Sequence, residues 1–71
     1  MGRVATVNEQ GRFVVLRFSP GAVPRPGSRL DVFRGGLKVG ELKVSNWERD
    51  NYVVADIVAG EAQVNDEAKG E

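Results

Sequence analysis

Apolar and polar residues alternate along this chain in short runs, and a cluster of turn-forming residues interrupts them roughly every ten residues. That rhythm constrains the fold more than any other feature. No segment of helical length carries a continuous apolar face, so helices are excluded as the main elements. The first run, "RVATV", closes at "NEQG", where Asn8 and Gly11 favour a tight reversal into "RFVVLRF" and an antiparallel hairpin. In the second run Val14, Leu16 and Phe18 share one face, while Phe13, Val15 and Arg17 share the other. The all-apolar face is the one expected in the core. "SPGAVPRPGS" follows and holds all three prolines of the chain. Proline cannot donate to a central ladder, so this stretch reads as a long Pro/Gly-rich loop between strands 2 and 3.

The third run, "RLDVF", turns Leu30 and Val32 inward and leaves Asp31 and Phe33 outward. "LKVGELKVSNW" alternates through Leu42 and Val44 and ends at the polar reversal "ERDN". The last run, "YVVADIVA", sets Val53, Ala55 and Ile57 on one face and Tyr52, Val54, Asp56 and Val58 on the other. The expected fold is therefore all-β: a small five-stranded antiparallel barrel in meander order, one domain over residues 2–68. The polar end "GEAQVNDEAKGE" is expected to make one short turn around Val64 and to fray over residues 69–71.

With neither cysteine nor histidine, the chain lacks a thiolate nucleophile, an imidazole base, the usual zinc ligands and any disulfide. The segment "FRGGLKVGEL" has the glycines and the lysine of a phosphate-binding loop. That motif needs a helix after the glycines and Ser or Thr after the lysine, whereas Lys38 is followed by Val39 and more strand residues. Gly35 and Gly36 instead fit the two centres of a tight hairpin turn, and Gly40 marks a bend or a close approach in the strand that follows. The carboxylate pairs Glu48 with Asp50 and Asp66 with Glu67 fall in turns expected to be solvated, where nothing raises a pKa toward neutrality. No calcium loop is spelled out. An enzyme is not expected, and no cofactor or metal.

Binding chemistry has more to work with. The strand phases turn Phe13, Val15, Phe33, Tyr52 and Val54 away from the main core, and Trp47 lies close by in sequence. Phe13, Arg17, Phe33, Arg34, Trp47 and Tyr52 are the candidate binding residues, an aromatic and basic surface for a protein partner or a second copy, as a monomer or weak homodimer pairing by its sheet edges. The competing reading is a second small apolar cluster, with Val23 and Pro24 of the loop folded across these side chains. Another class of function is nucleic-acid binding, with Arg12, Arg17, Arg29 and Arg34 on phosphates. A sequence pI near 6.2 argues against it. Net charge is zero, yet residues 1–38 hold seven bases against two acids and the remainder three against eight, +5 and −5. Either one side of the fold attracts an anionic partner, or folding interleaves the halves and neutralises them. No stretch is long and apolar enough to span a membrane as a helix, and insertion is not expected.

The order "GRVATVNEQGRFVVLRF", then "GAVPRPGSRLDVFRGGLKVGELKVSN", then "VADIVAGEAQVNDEA" resembles the small β-barrel module of bacterial envelope proteins, such as the C-terminal domain of the flagellar assembly protein T. The likeness runs from Gly2 to about Ala68. It rests on small and β-branched residues and includes no catalytic signature. Asn65 stands where the family's last turn has glycine, and the "PRPG" loop is richer in proline than usual. The resemblance implies an SH3-like barrel that serves as a non-catalytic interaction or assembly element, in a bacterial periplasm or envelope if the parent protein is exported and in the cytoplasm otherwise. The aromatic loop motifs of signalling SH3 domains are absent, so proline-peptide recognition does not carry over.

Overall fold

The computed structural model describes residues 2–47 and 50–70, with Trp47 described by its backbone. The alternating runs become β1 (Gly2–Asn8), β2 (Phe13–Phe18), β3 (Arg29–Arg34), β4 (Leu37–Trp47) and β5 (Tyr52–Gly60). A sixth strand, β6 (Glu67–Gly70), forms in the polar end and takes in Lys69 and Gly70, residues expected to fray. All pairings are antiparallel, and the strands close into a barrel in the order β1-β2-β5-β4-β3-β6. Six strands replace the expected five, and only β3-β4-β5 is a meander. β2 pairs with β5, and β6 returns beside β3, which makes β6-β3-β4-β5 a Greek-key arrangement. Because β6 joins β3 to β1, no strand is an edge along its whole length.

The core is the set of inward faces anticipated from the alternation. Val14, Leu16, Phe18, Leu30, Val32, Leu42, Val44, Val53, Ala55 and Ile57 are all buried, joined by Val4, Ala62 and Ala68. Val23 of the 19–28 loop packs against them. That loop then joins the sheet, with Gly27 N–H donating to Val44 O at 2.7 Å and Val44 N–H to Ser28 O at 2.9 Å.

Four register slips bend the strands enough to close so small a circle. The slip in β1 has the largest effect on the outer wall. Asn8, Val7 and Thr6 face Phe13, Val14 and Val15, but across the bulge Val4, Arg3 and Gly2 face Leu16, Arg17 and Phe18. Without it, Val4 would lie opposite Arg17 and on the solvent face. With it, Val4 enters the core and Arg3 stands opposite Arg17.

Gly35 and Gly36 adopt φ of 60° and 82°, as a two-residue hairpin turn of the primed type requires. In the β1–β2 turn the left-handed residue is Arg12 (φ 56°) rather than Gly11, whose N–H instead donates to Asn8 Oδ1 at 2.7 Å. Gly40 pairs with Gly60, and a Cβ at Gly40 would overlap the carbonyl oxygen of Glu61, so the chain leaving β5 crosses directly over it. The barrel thus has two different ends. One, the clasp end, gathers the 8–13 and 34–37 turns and the crossing at Gly60; the other, the loop end, gathers Gly2, Phe18 and Tyr52 with the start of the 19–28 loop.

Candidate functional site

On the outer wall, cross-strand neighbours form a continuous belt. Tyr52 of β5 lies opposite Arg17 of β2, Arg17 opposite Arg3 of β1, Arg3 opposite Glu67 of β6, and Glu67 opposite Phe33 of β3. Phe33 in turn faces Lys38 of β4. The belt climbs from the clasp end to the loop end as it goes round, as the strand tilt of a closed barrel demands.

The two arginines at its centre are the unusual members. Directly opposed like charges on neighbouring strands are destabilising. Arg3 donates from Nη1 to Asn65 O at 3.0 Å, which fixes its direction, and Arg17 has no side-chain partner among the described residues. Between them lie two open clefts. The larger, about 510 Å³, is bounded by Arg3, Arg17, Phe18, Ser19, Pro20 and Asn51; the smaller, about 170 Å³, by Arg3, Arg17, Tyr52 and Asn65. The floor of the larger is held in place: Phe18 N–H donates to Asn51 O at 2.9 Å, and the Phe18 ring occupies the space a side chain at Gly2 would need.

Arg34 is used in the opposite way. Its Nε and Nη2 reach Asp66 Oδ1 and Oδ2, each at 2.9 Å, and Nη1 reaches Glu61 Oε1 at 3.1 Å. Gln63 N–H adds a 2.8 Å bond to Asp66 Oδ2. The guanidinium, helped by that amide, holds the Asp66 carboxyl below the usual carboxylate range despite the opposing effect of burial. The same two acids push Arg34 further up, chiefly through the Asp66 hydrogen bonds. Asp66 is buried, so this carboxylate is not the solvated turn residue the sequence suggested. Its backbone completes the seam: Val4 N–H donates to Asp66 O at 2.9 Å and Asn65 N–H to Val4 O at 2.8 Å.

Lys38 lies on an internal strand, with Nζ 3.3 Å from Asp31 Oδ1 and 3.2 Å from Glu41 Oε2. Residues three apart on a regular strand point to opposite faces. The slip at Val39 brings Lys38 and Glu41 onto the same one. Glu41, with Asp31, raises the Lys38 pKa. The pairs of Arg34 with Glu61 and Asp66 and of Lys38 with Glu41 join the basic half of the sequence to the acidic half.

Of the candidate binding residues, Arg17 and Tyr52 come together. Phe33 shares their belt, but Glu67 and Arg3 separate it from Arg17, and Lys69 Nζ sits 5.3 Å from its ring centroid. Arg34 is held in the clasp. Phe13 begins β2 at the clasp end, half-buried, opposite Asn8 and Asp56 and with its ring against Gly11. Trp47 ends β4 with its backbone opposite Val53, and its side chain lies outside the described residues, as do Glu48 and any pairing of it with Asp50. The four arginines considered for phosphate contacts do not make one stripe: Arg12 donates to Gly60 O at 3.3 Å at the clasp end, Arg34 is engaged, and Arg29 sits on β3, three strands around from β2. The residue that sequence reasoning missed is Arg3, whose position depends on the β1 bulge. No glycine or proline marks that bulge. No protein-family model matches the chain, and no curated protein matches it.

Proposed function

We propose that this barrel is a non-catalytic protein–protein interaction or assembly module, and that a partner docks on the wall formed by Tyr52, Arg17 and Arg3. The observation that carries the reading is the direct opposition of Arg3 and Arg17 on the outer face beside two clefts; Arg29 and Lys43 are opposed in the same way, but Lys43 also faces Asp56 and neither lines either cleft. Retaining two facing cations costs stability, whereas the arginine at the other end is neutralised by its own chain. The likeness to SH3-like modules of bacterial envelope proteins belongs to the same proposal, in a six-stranded form. It is supported by the small closed antiparallel barrel and by the long 19–28 connection placed ahead of a glycine hairpin.

A photo-crosslinking side chain placed at Tyr52 tests the docking wall in bacterial cells expressing the protein. It should give discrete adducts that disappear when Arg3→Glu and Arg17→Glu are introduced together, while the same probe at Arg29 gives none of them. The same adducts from both positions, or no loss with the double variant, would overturn the reading.

A further inference from the structure

We infer that the Arg3–Arg17 pair is a receptor for a carboxylate of an acidic peptide segment, an Asp or Glu side chain of the partner followed by an apolar residue. This rests on the docking wall proposed above and adds the chemistry of what docks. A guanidinium presents N–H donors in a planar fork that matches a carboxylate. One Nη group of Arg3 is engaged with the Asn65 carbonyl, which aims the rest of that fork without neutralising it, and Arg17 is wholly unengaged among the described residues. Opposed positions on antiparallel strands place the two Cβ atoms roughly 5 Å apart, so one carboxylate can accept from both forks. Its arrival also turns a repulsive pair into an attractive triad.

The surroundings select the size and kind of anion. Phe18 and Pro20 give the larger cleft an apolar side, Ser19 and Asn51 give it polar groups, and Tyr52 continues the wall. An acid flanks the pair on one side, since Glu67 is the next residue of the belt beyond Arg3. An extended polyanion running along the belt would meet Glu67, and Arg12, Arg29 and Arg34 offer it no continuous track. A single carboxylate with an apolar neighbour meets neither obstacle.

The test is a titration of the nitrogen-15-labelled full chain at low salt with the capped peptide Ala-Glu-Val-Glu-Ala, its Gln counterpart Ala-Gln-Val-Gln-Ala, inorganic phosphate and a short oligothymidine. The Glu peptide should move the signals of Arg3, Arg17, Asn51 and Tyr52 to saturation. Affinity should drop about tenfold or more for the Gln peptide and for Arg17→Glu, and change less than about twofold for Arg29→Glu, which alters net charge equally on another wall. Arg17→Lys should keep part of the binding, since it retains the charge and loses the fork. Arg17 is exposed, and the spectrum itself reports whether each variant remains folded.

Equal binding of the Glu and Gln peptides at these residues would overturn the carboxylate assignment and leave the docking wall standing. Tighter binding of phosphate or oligothymidine there would overturn the choice of an acidic peptide. If no probe moves residues 3, 17 and 52, or all act at the clasp end, the inference and the docking wall fall together.

Discussion

At the clasp end of the barrel, Arg34 donates three hydrogen bonds to two carboxylates of its own chain, and one of those acids, Asp66, is buried. Toward the loop end, Arg17 faces another arginine and has no partner among the described residues. Residue type does not explain the difference. Strand phase gives part of it, since Arg34 follows the inward Leu30 and Val32 on β3 and lies over the end of the barrel, while Arg17 is on the outward phase of β2. The 60–66 connection gives the rest. It crosses the clasp end and delivers Glu61 and Asp66 to Arg34, while Glu67 stands opposite Arg3 without an ion pair to it and no carboxylate bonds to Arg17 among the described residues. A charge that holds the fold together is matched within the chain; a charge left unmatched, at a cost, is free for a partner.

The largest expected effect comes from breaking the clasp. Asp66→Ala removes a buried acceptor of the Gln63 amide as well as the partner of Arg34, and should lower unfolding free energy by about 2–4 kcal/mol in urea titrations. The acid limb sharpens the point. Folding holds the Asp66 pKa below its unfolded value, so its contribution is fully present above the unfolded pKa and disappears as pH falls through the folded one. Asp66→Asn should be less stable than the parent at neutral pH and should lose less on acidification. Equal acid sensitivity of the two proteins would show that Arg34 does not stabilise that carboxylate.

Next in size is Gly40→Ala. The added methyl meets the Glu61 carbonyl at the crossing, and a loss of about 1–3 kcal/mol is expected by thermal or urea melting. Should the variant be as stable as the parent, the crossing is looser than the contact between Gly40 and Glu61 implies. Arg17→Ala should change stability least, raising it by under about 0.5 kcal/mol as the opposition to Arg3 is relieved. A loss as large as that of Asp66→Ala would mean that Arg17 is a structural residue after all, and the contrast between the two ends would fail.

How legible each part was in the sequence depends on how local its cause is. The inward faces of β2 to β5 follow from alternation within each run, and the Gly35–Gly36 turn from two adjacent glycines. β6 escaped because it carries little apolar pattern. Ala68 is its one core residue, and the strand exists through backbone pairing with β1 and β3, which side chains do not advertise. Arg34 reads from the sequence as a binding residue because its partner Asp66 is 32 residues away. Arg17 and Tyr52 could be placed on an outer face, but their meeting required β2 to pair with β5 rather than β3. The Arg3–Arg17 opposition was hardest to see, since a single extra residue in β1 exchanges which side chains of that strand face the core.

Gly2 lies opposite Ala68 on adjacent strands, so the polypeptide enters and leaves the barrel side by side. The sequence is in effect a ring with a narrow gap. A short linker could join residues 2 and 70 and new ends could be opened at Gly35–Gly36, a two-residue turn whose glycines have open space around them, while the strand order stays the same. For the same reason the unit can be carried within a loop of a larger protein, its two connections leaving from one spot, beside the cleft that Gly2 lines together with Arg3 and Arg17.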